Sequence, residues 1–186
     1  MRSVPNIRWE RVIHRTTLAN SVAQSPIVAV VGEIEIRRAT IADIPGLVAS
    51  SAALFAEDAG TRDDTIDVEW PLKHGAQRFG ETIHDPNRLV LVAIADGDVI
   101  GHLAGALVEP SPIRPIRVAT LLSMYVSVAT RGGGVGARLV DSFRSWARQQ
   151  GAHRVAVDAY AANDGALRFY QRLGFAAVSV VLETTP

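Results

Sequence analysis

From Glu33 onward the hydrophobic positions alternate between a period of two and a period near 3.6, and each switch of period marks a new element. "EIEIRRA" (33–39) alternates as a strand. Thr40 then caps a helix, with Asp43 three residues on as its capping-box acid and apolar positions running to Phe55. "EDAGTRDDTIDVEW" (57–70) is acidic and turn-rich, and a second helix is predicted over 70–84, stopping before "DPN". Residues 88–108 read as two strands folded about Asp96-Gly97, a pair suited to a tight hairpin turn. A proline-punctuated loop (109–117) leads to a long strand (118–128). After a run of glycines come a helix (135–151) ending at Gly151, a strand (154–160), a short helix (163–174) and a last strand (175–183). The order implies one α/β domain over 33–186, with antiparallel strands on one side and βαβ units on the other. Residues 1–32 lack this periodicity and are broken by Pro5 and Pro26. They read as a loose extension or an upstream start, or alternatively "PIVAVV" (26–31) supplies one added strand.

Composition narrows the function classes. The 186 residues are 48% hydrophobic with zero formal net charge, so no global field favours nucleic acid or an anionic membrane. Lys73 is the only lysine. With no cysteine, disulfides, thiolate metal sites and a cysteine nucleophile are excluded. The five histidines show no ligand spacing, so no metal is expected. His74 and His102 read as surface or packing residues. No apolar run reaches the roughly 18 residues that span a bilayer, and the arginine-rich start lacks the apolar core of a secretory signal. A cytoplasmic protein is the expectation.

The chemistry concentrates in "TRGGGVGARL" (130–139), where four glycines occupy five positions at a strand-to-helix junction. Glycine costs roughly 0.5–1 kcal/mol of backbone entropy relative to alanine, so this density calls for a reason. A helix N-terminus presents unpaired N–H groups and a partial positive charge, and missing β-carbons let an anion approach the backbone. Phosphate binding follows, against the alternative of a plain turn. No Gly-Lys-Ser/Thr follows, which excludes a Walker loop. A dinucleotide fingerprint is matched by Gly132, Gly134 and Ala137, with Asp158 about 20 residues on. Its place late in the chain argues against that reading, because few residues remain for further βα units.

The segment "MYVSVATRGGGVGARLV" resembles the pyrophosphate motif of the GCN5-related N-acetyltransferase (GNAT) superfamily, through Arg131, Gly134 and Gly136. "NDGALRFYQRLGF" (163–175) is similar to the superfamily's second landmark, an asparagine, a helix, a tyrosine and a Gly-Phe ending. The resemblance covers about residues 33–183. It implies a mixed central sheet, antiparallel in its N-terminal half with a parallel central pair, flanked by four helices. It also implies acetyl-CoA as co-substrate and direct acetyl transfer to a primary amine of a small molecule or peptide. A different acyl-CoA and a non-catalytic CoA-binding module stay open beside this.

By the same resemblance, a bulged strand would offer Met124, Tyr125 and Val126 to the pantetheine arm and thioester. Arg131, Gly132, Gly133, Gly134, Val135, Gly136 and Ala137 would hold the pyrophosphate. Asn163 would contact the pantetheine arm or cap its helix, and Tyr170 would give a proton to the departing thiolate. Asp158 would act as general base, unless a chain of waters does so. The acceptor cleft would be walled by the acidic stretch of Glu57, Asp58, Asp63, Asp64, Asp67 and Glu69, set against Arg62 alone, which suits a cationic amine. The single strand after the tyrosine helix leaves an edge to be covered, by a homodimer or by residues 26–31.

Overall fold

A computed structural model describes residues 33–185 of the chain. Five strands form one sheet in the order β1-β2-β3-β4-β5: β1 (Glu35–Arg38), β2 (Arg88–Ala95), β3 (Asp98–Val108), β4 (Val118–Val126) and β5 (Arg154–Val157). The first four pair antiparallel, and β5 joins β4 in parallel. Four helices flank it: α1 (Ile44–Leu54), α2 (Trp70–Ile83), α3 (Val135–Gln149) and α4 (Asp164–Arg172). The expected mixed sheet and four helices are therefore present. The "PIVAVV" alternative lies outside the described residues.

The alternation of β2 decides which helices sit where. Leu89 and Leu91 face α3 and α4, packing with Leu139, Phe143 and Trp146, whereas Val90 and Val92 face the opposite layer with Leu47 of α1 and Phe79 of α2. Asp43 anchors the start of the α1 segment. Its carboxylate accepts from the Thr40 N–H at 2.7 Å and from both terminal nitrogens of Arg37 at 2.7 and 2.9 Å. The Arg37 guanidinium, ahead of the Thr40 bonds, holds this carboxyl well below the usual range.

The structure departs from expectation in three places. The α1 helix does not stop at Phe55 but widens into a π-helical turn, Phe55–Ala59, followed by one α-turn, Gly60–Arg62. Strand β5 ends at Val157, three residues early. Residues 175–183 form no strand: Val178 is 94% exposed, and Val180, Val181 and Leu182 are exposed too. Alternating apolar residues make a strand only when a neighbour takes up their backbone N–H and C=O groups, and none of the described elements does so here. No described helix is long and apolar enough to cross a membrane.

Candidate active site

The site begins as a flaw in the sheet. Between β3 and β4 the register shifts at Ala104/Gly105, so that Leu121 and Ser123 oppose adjacent residues and Leu122 is left over as the bulge. Leu122 is 54% exposed. The bulge thus lies two residues before the expected Met124–Val126. It reverses the side-chain parity of β4: Ala119 and Leu121 face the α3 layer before it, and Met124 and Val126 after it. The parallel ladder with β5 covers only Val118–Leu121. From Leu122 to Val126 the strand keeps β3 on one side and has parted from β5 on the other. Met124 and Val126 turn their backbone groups away from β3, whereas those of Tyr125 face β3, contrary to expectation. The Val126 carbonyl accepts from Arg131 Nε.

The glycine loop follows the parted end of β4. The six consecutive N–H groups from Gly132 to Ala137 have no acceptor among the described residues; the next, of Arg138, reaches the Gly134 carbonyl at 3.1 Å. An ordinary helix N-terminus leaves four such donors. Gly132 and Gly134 adopt left-handed φ values of 83° and 80°, a conformation costly for other residues. A β-carbon built on either would meet no atom of the described residues within 4 Å. Gly136 serves a different purpose: a β-carbon there would sit 3.2 Å from the Phe169 ring, so its absence lets α3 pack on α4. Beside the loop lies a 450 Å³ pocket lined in part by Thr130, Arg131, Gly133 and Arg138.

Helix α4 closes the other side. Asn163 caps it, its Oδ1 accepting from the Ala166 N–H at 3.0 Å. Seven residues on, two turns along the same face, Tyr170 packs edge-on to Phe169 and Phe175 with ring centroids 5.1 and 5.5 Å away. Tyr170 is only 9% exposed, and its hydroxyl donates to no described residue. That hydroxyl is nevertheless not sealed in, unlike Trp146 Nε1, the only fully enclosed side-chain polar atom without a partner among the described residues. Burial, and then the charge of Asp58, push the Tyr170 hydroxyl up to about 12, so it stays protonated. Asp158 stands just past the end of β5, exposed, with no hydrogen-bond partner among the described residues.

Two contacts that no local pattern announces join the first helical layer to this site. Both come from adjacent carboxylates of the π-turn. Glu57 pairs with the Arg131 guanidinium at 2.7 and 2.8 Å, and Arg131 also donates from Nε to the Val126 carbonyl and lies 5.4 Å over the Tyr125 ring. Arg131 depresses the Glu57 carboxyl. Asp58 Oδ1 accepts from Asn163 Nδ2 at 2.7 Å and pairs with Arg62 at 2.6 Å. The acidic wall is thereby less acidic than the sequence suggests. Glu57 and Asp58 are paired as described, Asp67 and Glu69 share Lys73, and Asp63 caps Thr65. Behind the bulge, His102 is fully buried, its two ring nitrogens 2.7 Å from Ser50 Oγ and 3.3 Å from Ser123 Oγ. It is a packing residue, as expected, and burial lowers its pKa to about 4. Among the described residues no cluster of His, Asp and Glu is arranged to hold a metal.

The sheet splits between β4 and the edge strand β5, and the helix N-terminus beyond the split carries amides that have no acceptor among the described residues, an arrangement suited to an anion. The Acetyltransferase (GNAT) family pattern matches residues 55–175, and the chain belongs to that family. Among curated relatives, it is 32% identical to the uncharacterized N-acetyltransferase Rv2669 of Mycobacterium tuberculosis, over 53% of this chain and 59% of that one. The matched part therefore spans less than two thirds of that relative. It is 30% identical to the L-methionine sulfoximine/L-methionine sulfone acetyltransferase of Pseudomonas aeruginosa, over 75% of this chain and 78% of that one. The fold is also that of the aminoglycoside N-acetyltransferase AAC(6')-Iy solved in complex with CoA (19% identity, TM-score 0.66, covering 83% of this chain and 95% of that one).

Proposed function

We propose that this protein is an acetyl-CoA-dependent N-acetyltransferase that passes the acetyl group directly to a primary amine of a small molecule or peptide. The observation that carries the reading is the row of six amides from Gly132 to Ala137 at a helix N-terminus, which have no acceptor among the described residues. A pyrophosphate offers the acceptors that such a row lacks. The neighbour solved with CoA supports that identity for the anion, and the relatives named for amine acetylation support the reaction.

In this reading the amides, with Arg131 at the mouth of the loop, hold the pyrophosphate, and the pantetheine arm runs along the side of β4 that faces away from β3, from Met124 to Val126. The thioester then lies beneath Tyr170. The amine nitrogen attacks the carbonyl carbon, the carbon–sulfur bond breaks, and the Tyr170 hydroxyl gives its proton to the thiolate. The proton shed by the amine passes to Asp158 or to solvent. The chain has no cysteine, so no cysteinyl acyl-enzyme intervenes. Asn163 is fixed between the α4 N-terminus and Asp58 and serves here as a cap.

The experiment is release of free CoA thiol from acetyl-CoA in the presence of spermidine, an aminoglycoside, L-methionine sulfone and benzylamine. Amine-dependent release, with the acetyl mass found on the amine, is expected from at least one. Tight CoA binding with no release from any amine would make the chain a binding module.

A further inference from the structure

The π-turn sets two neighbouring carboxylates against the cofactor side of the molecule, and they are used differently. π-turns are rare and recur at functional sites, where they redirect side chains. Glu57 is consumed: both of its oxygens are engaged by Arg131. Asp58 is not. Its two partners, Asn163 and Arg62, both bind Oδ1, and Oδ2 accepts nothing among the described residues. Arg62 is itself held over the carbonyls of Glu57 and Asp58, at 3.4 and 3.3 Å, so it stays at the helix end.

What lies opposite Oδ2 follows from α4. Asn163, bonded to Asp58, and Tyr170 share one face of that helix, separated by seven residues or roughly 10 Å along the axis. Helical side chains lean toward the N-terminus, so the Tyr170 ring carries its unpartnered hydroxyl back toward the Asn163 end. The Asp58 charge is felt at that hydroxyl. Among the described residues, Asp58 Oδ2 and the Tyr170 hydroxyl are both left without a hydrogen-bond partner on this side of α4.

We propose that Asp58 is the residue that binds the acceptor: Oδ2 accepts an N–H from the primary amine about to be acetylated and sets it across from Tyr170. The inference rests on the acetyl-transfer reading above. It moves acceptor recognition away from the carboxylates of 63–69, where Asp63 is spent on its own turn, Asp67 and Glu69 on Lys73, and Asp64 is exposed. It also assigns Asn163 a second task, holding Asp58 Oδ1 so that Oδ2 is left for the amine.

Asp58→Asn keeps an oxygen for Asn163 and removes the charge. With whichever amine of the panel the wild type turns over fastest, KM for the amine is expected to rise roughly 10- to 100-fold, the scale of one hydrogen bond to a charged group. KM for acetyl-CoA should stay within about twofold. Asp64→Asn removes the same charge from an exposed neighbour and is expected to change neither constant. Thermal melting and CoA binding of Asp58→Asn check that it is folded. If Asp58→Asn keeps the wild-type KM for the amine, or if Asp64→Asn matches its effect, the assignment of Asp58 is overturned. A wild type that acetylates no amine would overturn the acetyl-transfer reading, and the inference would fall with it.

Discussion

Gly134 and Gly97 make a matched pair for testing the loop. Both have left-handed φ values, 80° and 89°, and a β-carbon on either would meet no atom of the described residues within 4 Å. Gly134 opens α3 in the glycine loop, whereas Gly97 turns the β2–β3 hairpin. Alanine at either position forces an L-residue into the left-handed region, which costs about 1–2 kcal/mol. For a domain of this size that lowers Tm by roughly 2–8 °C. The folding penalty is therefore the same, and only the ligand distinguishes the two sites. At Gly134 the added methyl occupies space that a phosphate oxygen must enter to reach the amides. Losing one or two hydrogen bonds to a charged acceptor costs about 1.5–3 kcal/mol each, so Kd for CoA should rise at least about tenfold. In Gly97→Ala it should stay at the wild-type value. Calorimetric titration of CoA into both folded variants gives the comparison. Equal affinities in the two would refute the loop as the phosphate site.

Tyr170→Phe is expected to lower kcat roughly 100-fold, the usual scale for a positioned acid, with KM for acetyl-CoA little changed and no loss of Tm, because the hydroxyl has no partner to lose among the described residues. Wild-type kcat would return Tyr170 to a packing role. For His102, burial lowers the folded-state pKa to about 4 from an ordinary 6.5, so the unfolded chain takes up the proton first as pH falls. Stability is full above pH 6.5 and declines between about 6.5 and 4, by about 3 kcal/mol in all. Thermal melts across that window should show the decline, and His102→Gln should flatten it; a flat wild-type profile would show that the imidazole is not held neutral.

Most of the framework was legible because it is locally encoded. The hairpin at Asp96-Gly97, the Thr40–Asp43 box and the Asn163 cap each depend on residues a few positions apart, and each is present. The density of glycine at 132–136 resolves into two uses: Gly132 and Gly134 take left-handed φ values, while Gly136 yields to Phe169. What the sequence concealed is long-range. The bulge at Leu122 is a property of pairing with β3, which no single-strand pattern expresses. The pairs Glu57–Arg131 and Asp58–Asn163 join residues 74 and 105 positions apart, so composition suggested an unpaired acidic wall where ion pairs stand. Residues 175–183 show the converse, since their alternation is a correct local signal that no described neighbouring strand completes.

The amides of Gly132 to Ala137 are proposed to donate to the pyrophosphate oxygens. Titrating acetyl-CoA into ¹⁵N-labelled protein tests this residue by residue. Large downfield shifts are expected, confined to those six amides and to Met124–Val126, with the six becoming protected from solvent exchange. Saturable binding that leaves the resonances of 132–137 where they were would contradict that role.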